Sequence, residues 1–477
     1  MLPSNRAALL IAPALAAALA GCQTVGPDFK RPDASATASY GEPLPGEARL
    51  DPASAAAGPW WLALGSPALD ATIRQALKDS PTIAEAEATL RQSQAALAQA
   101  RGEAGPQASA SAGLNRERAN LQAFGFSSFG GLSNPTFTLY SLGGAVSYDA
   151  DLFGGNRRRI EGAQARAEAQ ARRAEAAYLT LTANVALQAV TIAALQAQIE
   201  AVEQMIADDQ ATVELVRKAD ALGGSTATAR VSAQGQVEED AALLPALKSQ
   251  LAAARHALAV LVGKAPADWS PPAFSLDELR LGQPVPLAVP SELARRRPDI
   301  LAAEADLHAA TADIGVATAD LYPKLALTAS LTQGSLTPGN LFSYDTSGWN
   351  VGAGLTAPLF NGGALRARRQ AMREAAVAAN ARYQQTVITA FAQVADALSA
   401  IAADDELIAA DRRAEATAAE QLRLAREAFR IGGGTLLEVV DAQRQAHKYQ
   451  AARARAEGQR LADVVRLFAA VGADWRV

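Results

Sequence analysis

The sequence predicts a mainly α-helical chain with a smaller β-sheet part, in which one structural unit occurs twice. Three observations support this fold class: an internal duplication, four segments of alternating apolar residues, and two very long helical segments. Residues Arg157–Gly263 correspond to Arg366–Gly472 at a constant offset of 209. Upstream, Pro81 corresponds to Pro298 at an offset of 217. This period is too long for a solenoid repeat and indicates a duplicated half-domain.

The predicted organisation runs through five segments. They are a signal peptide at 1–21, a lipidated tether at 22–65, repeat 1 at 66–263, an irregular connector at 264–290 and repeat 2 at 291–477. Each repeat is predicted to contain a helix, two β-strands and a long helical hairpin.

Composition excludes several function classes. A formal net charge of −5 gives no basic field for nucleic acid. Three scattered histidines and one cysteine leave little from which to build a metal site. No nucleophile–base pair or cofactor loop stands out, so we expect no catalytic residues, no metal, no cofactor and no enzyme activity.

The N-terminus has the pattern of a bacterial secretory leader. Arg6 precedes the apolar run Ala7–Leu19, and small residues follow before Cys22. The stretch Leu-Ala-Gly-Cys resembles a lipobox, in which the cysteine is acylated and becomes the mature N-terminus. Gln23, rather than Asp, then implies sorting to the outer membrane. The alternative is a plain signal peptide with an incidental free thiol at Cys22.

Each repeat is predicted to begin with an amphipathic helix, Ser66–Ala104 in the first copy and Ser291–Leu321 in the second. Apolar residues recur there at helical spacing, and Ser291 is a candidate N-cap. Pro106 and Pro323 end these helices.

The periodicity then changes to two, which is typical of β-strands. Four such segments start at Ala108, Val146, Leu325 and Val351, and the second and fourth run to Leu152 and Leu359. Roughly ten residues suffice to cross a bilayer at about 45° tilt. The intervening loops, 115–142 and 333–348, carry aromatic residues such as Phe124, Phe126 and Phe129 that fit an aromatic girdle or external loops. Ordinary surface hairpins remain the alternative.

Long helices follow the strands, at about 154–222 and about 364–431. Glycines then reverse the chain, and return helices run to Gly263 and Gly472, with Pro245 predicted to kink or break the first. At 1.5 Å per residue, a helix of about 65 residues is about 100 Å long and needs neighbours along its whole length. After the leader, no segment approaches 18 consecutive apolar residues, which argues against a transmembrane helix.

Four strands cannot close a membrane barrel, because unpaired strand edges are not tolerated in lipid. Two chains would give a filled eight-stranded barrel, whereas three would give twelve strands around an aqueous lumen. The predicted architecture is therefore a homotrimer: a 12-stranded β-barrel with four strands per chain, continued by a periplasmic α-barrel of long helical hairpins.

Several motifs, taken in order, resemble one family. They are the Leu-Ala-Gly-Cys lipobox, Val25–Pro32, the Trp60-Trp61 to Leu69 stretch and Pro358–Gly363. They are similar to the outer-membrane factors of tripartite efflux systems, the TolC/OprM group, and especially its NodT-type lipoproteins. The likeness covers nearly the whole chain.

The resemblance implies a passive outer-membrane exit duct for drugs or other small molecules, lipid-anchored in a Gram-negative bacterium and projecting into the periplasm. It implies three kinds of partner: two further copies of the chain, a periplasmic adaptor protein, and an inner-membrane transporter of the resistance-nodulation-division type. Two alternatives stay open: a periplasmic helical scaffold lipoprotein without channel activity, or the outer-membrane component of a type I secretion system.

The same resemblance assigns roles to the hairpin tips. Glu438 and Asp441 match the carboxylates that ring the periplasmic gate, and their spacing of three puts both on one helix face. Glycine and threonine residues match adaptor-docking tips: Gly223, Gly224, Thr226, Gly432, Gly433, Gly434 and Thr435. The alternative for the carboxylates is a solvated helix face.

The chain also departs from the family pattern. Gly434 and Phe429 stand where TolC has an arginine and a tyrosine that tie the closed gate, so those ties are not expected here. Ala229 and Ser232 occupy the first-copy positions that correspond to Glu438 and Asp441. The arginines at 157–159 and 366–369 could face headgroups, the lumen or solvent, and those at 295–297 suggest surface ion pairs with Glu304 and Asp306.

Overall fold

The computed structural model describes residues 24–33, 48–50, 59–118, 135–221, 226–281, 285–287, 293 and 295–474. The chain forms two compact units. Unit 1 comprises Met1–Arg31, Leu90–Gln170 and Ala303–Arg382, and unit 2 comprises Pro32–Thr89, Ala171–Ala302 and Tyr383–Val477.

The element order repeats as the sequence predicts. In the first half it runs β1 (Ala48–Leu50), a 3-10 helix (Trp60–Leu64), α1 (Pro67–Asp79), α2 (Pro81–Glu103), β2 (Gln107–Arg118), β3 (Thr136–Asp149), α3 (Gly155–Ala221), α4 (Ala227–Ala241) and α5 (Leu244–Leu261). The second half runs β4 (Val285–Leu287), α6 (Pro298–Ala319), β5 (Lys324–Ser335), β6 (Ser347–Thr356), α7 (Ala364–Arg430) and α8 (Leu436–Ala470), with short 3-10 turns at Pro338–Asn340 and Tyr344–Thr346.

The four long strands form one antiparallel sheet in unit 1, in the order β2-β3-β5-β6. Strand β3 of repeat 1 pairs with strand β5 of repeat 2, from Tyr140↔Ser335 to Asp149↔Ala326, so the strands of the two repeats form one sheet. Every residue of β2 is exposed, and most of β6 is exposed as well. Neither the outer edge of β2 nor that of β6 has a strand partner among the described residues.

The predicted strand limits were partly wrong. The loop predicted at 115–142 is shorter, because β2 continues to Arg118 and β3 already begins at Thr136. The loop predicted at 333–348 is also shorter, because β5 continues to Ser335 and β6 begins at Ser347. Strand structure also ends at Asp149 and Thr356 rather than at Leu152 and Leu359. Pro358 cannot donate to a ladder, which accounts for the end of β6. Phe124, Phe126 and Phe129 lie outside the described residues.

The first helix of each repeat also differs from the prediction. The segment Ser66–Ala104 is two helices, separated at Ser80, whose backbone is extended at φ −69° and ψ 126°. Pro81 disfavours helical geometry at the residue before it, so the helix must stop there and restart. Pro298 acts at the corresponding place in the second copy: Leu293, Arg295 and Arg296 are helical, Arg297 is not, and α6 begins at Pro298. Ser291 lies outside the described residues.

The two outgoing helices, α3 and α7, confirm the predicted long helices to within one residue at each end. Each has 67 residues, or about 100 Å of helix. The first return helix is broken as predicted, with α4 ending at Ala241 and Pro245 in the first turn of α5. A proline is tolerated there because the amides of a first turn have no partner within the helix. The second return helix, α8, is continuous over 35 residues.

Both long helices contain an 18-residue window of mean hydropathy 1.5, a looser criterion than 18 consecutive apolar residues. By length and composition alone they are therefore candidate membrane spans. In α3, however, 61% of that window is buried against 33% in α7. Packing within the chain thus accounts for much of the apolar character of α3, and more of α7 is uncovered.

The core of unit 2 is anchored by two tryptophans that follow the predicted tether. Trp60 is 1% exposed, stacks on Phe468 of α8 at 5.2 Å between ring centroids, and donates from Nε1 to Thr182 of α3 at 3.2 Å. Trp61 donates to Asp70 at 2.9 Å. Aromatic residues bury large areas, so this pair fixes the chain between an outgoing and a return helix.

Arg297 ties three elements of unit 2 together. Its guanidinium donates to Asp299 at the start of α6, to Gln393 of α7 at 2.8 Å, and to the carbonyl of Ala470 at the end of α8 at 2.8 Å. It is 8% exposed, so the expectation of a surface ion pair was wrong for this arginine. Because the carbonyls at a helix C-terminus lack partners within the helix, the buried guanidinium satisfies one of them.

We predict that Arg297→Met lowers the stability of the folded chain by about 2 kcal/mol, because charge-assisted hydrogen bonds are lost at a buried site. Thermal unfolding of the detergent-solubilised protein measures this. Arg295→Met is the matched control, since Arg295 is exposed two residues away. Equal unfolding temperatures for the two variants would contradict the anchoring role.

Candidate functional site

The tip of the second hairpin is a tightly defined turn. Helix α7 ends in a Schellman motif, in which Gly433 N–H donates to Ala428 O at 2.9 Å and Gly432 N–H donates to Phe429 O at 3.1 Å. Gly432 has φ +78°, which favours glycine. The glycines predicted for this tip therefore serve to stop one helix and reverse the chain.

The return helix α8 starts in a capping box. Thr435 Oγ1 accepts from Glu438 N–H at 3.3 Å, and Glu438 Oε2 accepts from Thr435 N–H at 2.8 Å. The pattern Thr-x-x-Glu is the sequence signature of this motif, so the cap could have been predicted from the residues. The carboxylate of Glu438 thus has a local structural role at the tip.

Glu438 and Asp441 are both exposed and lie about one turn apart on α8. The neighbouring residues Val439, Ala442 and Gln443 are buried, so the two carboxylates lie on the side of α8 away from its packing face. This placement permits the predicted gate position. It is equally compatible with a solvated helix face.

Gly434 has little room for a side chain. A Cβ there would lie 3.0 Å from Ala428 Cβ, 3.1 Å from Glu438 Oε2 and 3.2 Å from Phe429 N. An arginine at this position would have to displace the capping carboxylate or the end of α7. The close approach gives a physical reason for glycine where the family pattern has a gate-tying arginine.

The first hairpin tip is built differently. Thr226 is the N-cap of α4 and accepts from Ala229 N–H at 3.2 Å, so its correspondence to Thr435 holds in the structure. Ala229 cannot return a hydrogen bond as Glu438 does, so the cap is half of a capping box. An ion pair between Asp220 and Arg230, at 3.6 Å, bridges α3 and α4 near this tip. Gly223 and Gly224 lie outside the described residues.

Cys22 also lies outside the described residues, but the chain immediately after it docks on unit 1. Val25 N–H donates to Phe153 O at 3.1 Å. Arg158 of α3 donates to the carbonyls of Val25 and Gly26 and to Asp28 Oδ1, the last at 2.6 Å. We call residues 24–33 with their docking surface the N-terminal clamp. The predicted tether is therefore held in place over its first part.

The clamp continues along α6. Phe29 stacks on His308 at 4.4 Å between centroids, and His308 Nε2 lies 3.0 Å from Glu161 Oε1. Arg31 pairs with Glu304 at 2.9 Å. The clamp thus contacts α3 of the first repeat and α6 of the second.

Arg158 is the centre of the clamp, and its role differs from the solvated helix start that the sequence suggested. It is 4% exposed and also pairs with Glu161 at 2.8 Å. Burial disfavours the charge, but hydrogen bonds to Asp28 and Glu161 outweigh burial and raise the pKa of Arg158. The sequence signal was the motif Val-Gly-Pro-Asp-Phe, whose partner could not be identified without the fold.

A four-stranded sheet whose outer strands have no further partner among the described residues, together with two helical hairpins of this length, is typical of a subunit of an outer-membrane channel. The family model described as outer membrane efflux protein matches residues 72–264 and 289–473, and the chain belongs to this family. It is an outer-membrane efflux channel component of a tripartite pump, located in the outer membrane and extending into the periplasm.

Individual relatives and structures agree. The chain is 31% identical to the pyoverdine export outer membrane protein OpmQ of Pseudomonas aeruginosa over 87% of each sequence. It is 30% identical to the probable efflux pump outer membrane protein TtgC of Pseudomonas putida, over 96% of this chain and 93% of TtgC. The solved outer-membrane channel OprN superposes with a TM-score of 0.85 at 26% identity, covering 94% of this chain and 99% of OprN.

We predict that Gly26→Ala weakens the N-terminal clamp by about 2 kcal/mol. Gly26 has φ +95°, and a Cβ there would lie 2.5 Å from Gly315 Cα, so both strain and a clash oppose the substitution. Trypsin cleavage after Lys30 should accelerate in this variant. Gly102→Ala is the control, since a Cβ at Gly102 meets nothing within 4 Å. Unchanged cleavage in Gly26→Ala would show that the clamp does not protect the segment.

Proposed function

We propose that three copies of the chain form one continuous, passive exit duct. The observation that carries this proposal is the sheet with two uncovered edges, at β2 and β6. An open sheet edge in hydrocarbon costs several kcal/mol per unpaired group, so the strands need partners from other copies. Three copies supply twelve strands, enough to surround an aqueous lumen.

The second long helix supports self-association. Large apolar side chains are exposed along α7, at Val377, Ile388, Leu407 and Leu424. Leucine, valine and isoleucine lose favourable burial energy in water, about 25 cal/mol per Å². A neighbouring copy of the chain would cover them, which agrees with a wall built from adjacent hairpins.

The periplasmic end of the duct is the proposed gate. In a trimer, Glu438 and Asp441 would place six carboxylates around the axis, favouring cations over anions. The tip residues Thr226, Gly432, Gly433, Gly434 and Thr435, together with Gly223 and Gly224, are the proposed contacts for a periplasmic adaptor. We infer an inner-membrane transporter of the resistance-nodulation-division type as the energy-supplying partner.

Cys22 is the proposed lipid anchor. Residues 24 and 25 contact Phe153 and Arg157, directly after β3 and at the start of α3. A lipid chain on Cys22 would therefore start within two residues of the strand–helix junction. Acyl chains contribute about 0.8 kcal/mol per buried methylene, so several chains hold firmly.

A non-conducting periplasmic scaffold is the second candidate function. Long hairpins with exposed apolar faces suit a scaffold as well as a duct. The strands separate the two, since a scaffold does not require a sheet whose two edge strands, β2 and β6, are exposed and have no outer strand partner among the described residues. Conductance in a planar bilayer decides between them.

We predict that the purified protein conducts in steps and that Glu438→Gln with Asp441→Asn lowers its preference for cations. Gln at position 438 keeps the capping-box acceptor while removing the charge. The reversal potential in a salt gradient measures the preference, and Glu239→Gln on α4 is the control. A monomer in detergent with no conductance would end the duct proposal; unchanged selectivity in the double variant would remove only the gate assignment.

We predict that Cys22→Ser abolishes incorporation of radiolabelled palmitate into the protein. Gln23→Asp should instead retain the label and shift the protein toward the inner-membrane fraction. Palmitate on Cys22→Ser would contradict the assignment. Loss of palmitate with intact conductance would show that the anchor and the duct are independent.

A further inference from the structure

Each helical hairpin of unit 2 contains a buried pair of aspartates that face each other from the outgoing and the return helix. In the first hairpin, Asp209 of α3 faces Asp240 of α4 within hydrogen-bonding reach. In the second, Asp404 of α7 faces Asp463 of α8 in the same way. All four are buried, at 4%, 7%, 8% and 5% exposure in the order named.

The surroundings of the first pair include four further polar side chains. Gln236, one turn before Asp240 on α4, donates to Asp240 at 2.8 Å. Asp208, beside Asp209 on α3, is bound by His447 of α8 at 3.0 Å. Arg444 of α8 also faces the pair.

The second pair has matching surroundings. Gln459, one turn before Asp463 on α8, donates to it at 2.8 Å. Asp405, beside Asp404 on α7, is bound by Arg460 of α8. Arg466 of α8 donates to Asp463 as well.

The two constellations share three parts: an Asp-Asp doublet on the outgoing helix, a Gln-x-x-x-Asp sequence on the return helix, and a basic side chain of α8 (His447 or Arg460) that contacts the other aspartate of the doublet. They are not copies from the duplication. At the offset of 209, the counterparts of Asp209 and Asp240 are Ala418 and Tyr449. The same arrangement thus occurs at independent positions in the two hairpins.

One carboxylate oxygen in each pair lacks a hydrogen-bond donor among the described residues. Asp209 Oδ2 and Asp404 Oδ2 are buried and accept no hydrogen bond from the described residues. A carboxylate only accepts hydrogen bonds, so two ionised carboxylates in contact repel each other, and neither Asp240 nor Asp463 in that form can donate to the unsatisfied oxygen opposite it. One proton between them supplies the missing donor and removes one of the two buried charges.

We propose that each hairpin contains a buried proton-binding site, Asp209 with Asp240 and Asp404 with Asp463, and that the bound proton holds the outgoing helix against the return helix. Release of the proton leaves two like charges side by side in a buried contact. The helices of that hairpin then separate more readily. This inference concerns the hairpins themselves and does not depend on conductance.

The titration of the pairs supports the geometry. Burial, the hydrogen bond with Asp240 and the charges of Asp240 and Asp208 raise the pKa of Asp209 to about 7, with Arg444 opposing. Burial, the hydrogen bond with Asp463 and the charges of Asp463 and Asp405 raise the pKa of Asp404 to about 6, with Arg460 opposing.

The sign of the pH dependence follows from these directions. Both values lie above the ordinary aspartate pKa of 3.8 that applies in the unfolded chain. The folded state therefore binds more protons, and its stability falls as pH rises toward the folded values. The stabilisation is present in acid and is lost through pH of about 6 in the second hairpin and about 7 in the first.

The test uses full-length protein in detergent, with Asp209→Asn, Asp404→Asn and the double variant. An asparagine amide donates permanently to the partner carboxylate, so it replaces the proton at every pH. We expect the wild-type unfolding temperature to fall between about pH 5 and about pH 8. Each single variant should flatten part of that profile, and the double variant should flatten it further. Glu239→Gln and Glu406→Gln, exposed carboxylates next to each pair, should keep the wild-type profile.

Two further readouts separate proton binding from a merely structural effect. The infrared C=O band of protonated carboxyl groups should be present in the wild type near pH 5 and weaken in the double variant. Above pH of about 7, amides of α4 should exchange hydrogen more slowly in Asp209→Asn than in the wild type at the same pH. If Asp209→Asn fails to fold, Asp240→Asn serves as the reciprocal variant. An unchanged infrared band, or the same pH profile in the double variant and the wild type, would overturn the proposal.

Discussion

The requirement that every backbone hydrogen-bonding group in a membrane be satisfied determines most of this structure. A sheet of four strands leaves two edges open, and lipid offers no partner for them. Closing the sheet requires other copies of the chain, and those copies bring their hairpins into the same ring. The equal lengths of α3 and α7 follow, because a wall of unequal helices could not be continuous. The loops between strands, by contrast, are free to diverge, and they differ between the two repeats.

Much of the fold could be predicted because glycine and proline mark the ends of helices. The long helices were located to within a residue, because glycines border both ends of a segment that contains few helix breakers. Each repeat was predicted to begin with one continuous helix, but Pro81 and Pro298 each start a new helix, because a proline disfavours helical geometry at the residue before it. The strand ends were predicted wrongly because alanine, glycine and serine fit both the inward and the outward positions, so the alternation of apolar and polar residues does not mark where a strand stops. The tip carboxylate Glu438 was recognised by resemblance, whereas its capping box follows directly from the Thr-x-x-Glu spacing.

The contacts that sequence reasoning missed all join distant parts of the chain. Arg158, Arg297 and the aspartate pairs look like solvated charges when only their neighbours in sequence are considered. Their burial depends on which helix lies beside them, and a single sequence does not contain that information. Charged residues are rarely buried without partners. In such an alanine-rich protein, a few polar contacts therefore specify which helix faces meet, where small side chains alone would allow sliding.

The N-terminal clamp has a consequence for the order of folding. Residues 24–33 are among the first to be synthesised, yet their docking surface includes Glu304, His308 and Gly315 from the second repeat. The clamp can therefore form only after the chain has been made beyond α6 and the two repeats have met. Contacts of such long sequence separation form late. A docked N-terminus thus reports that synthesis has passed α6 and that the two repeats have met, and an undocked one marks a product that stops before α6 or is misassembled.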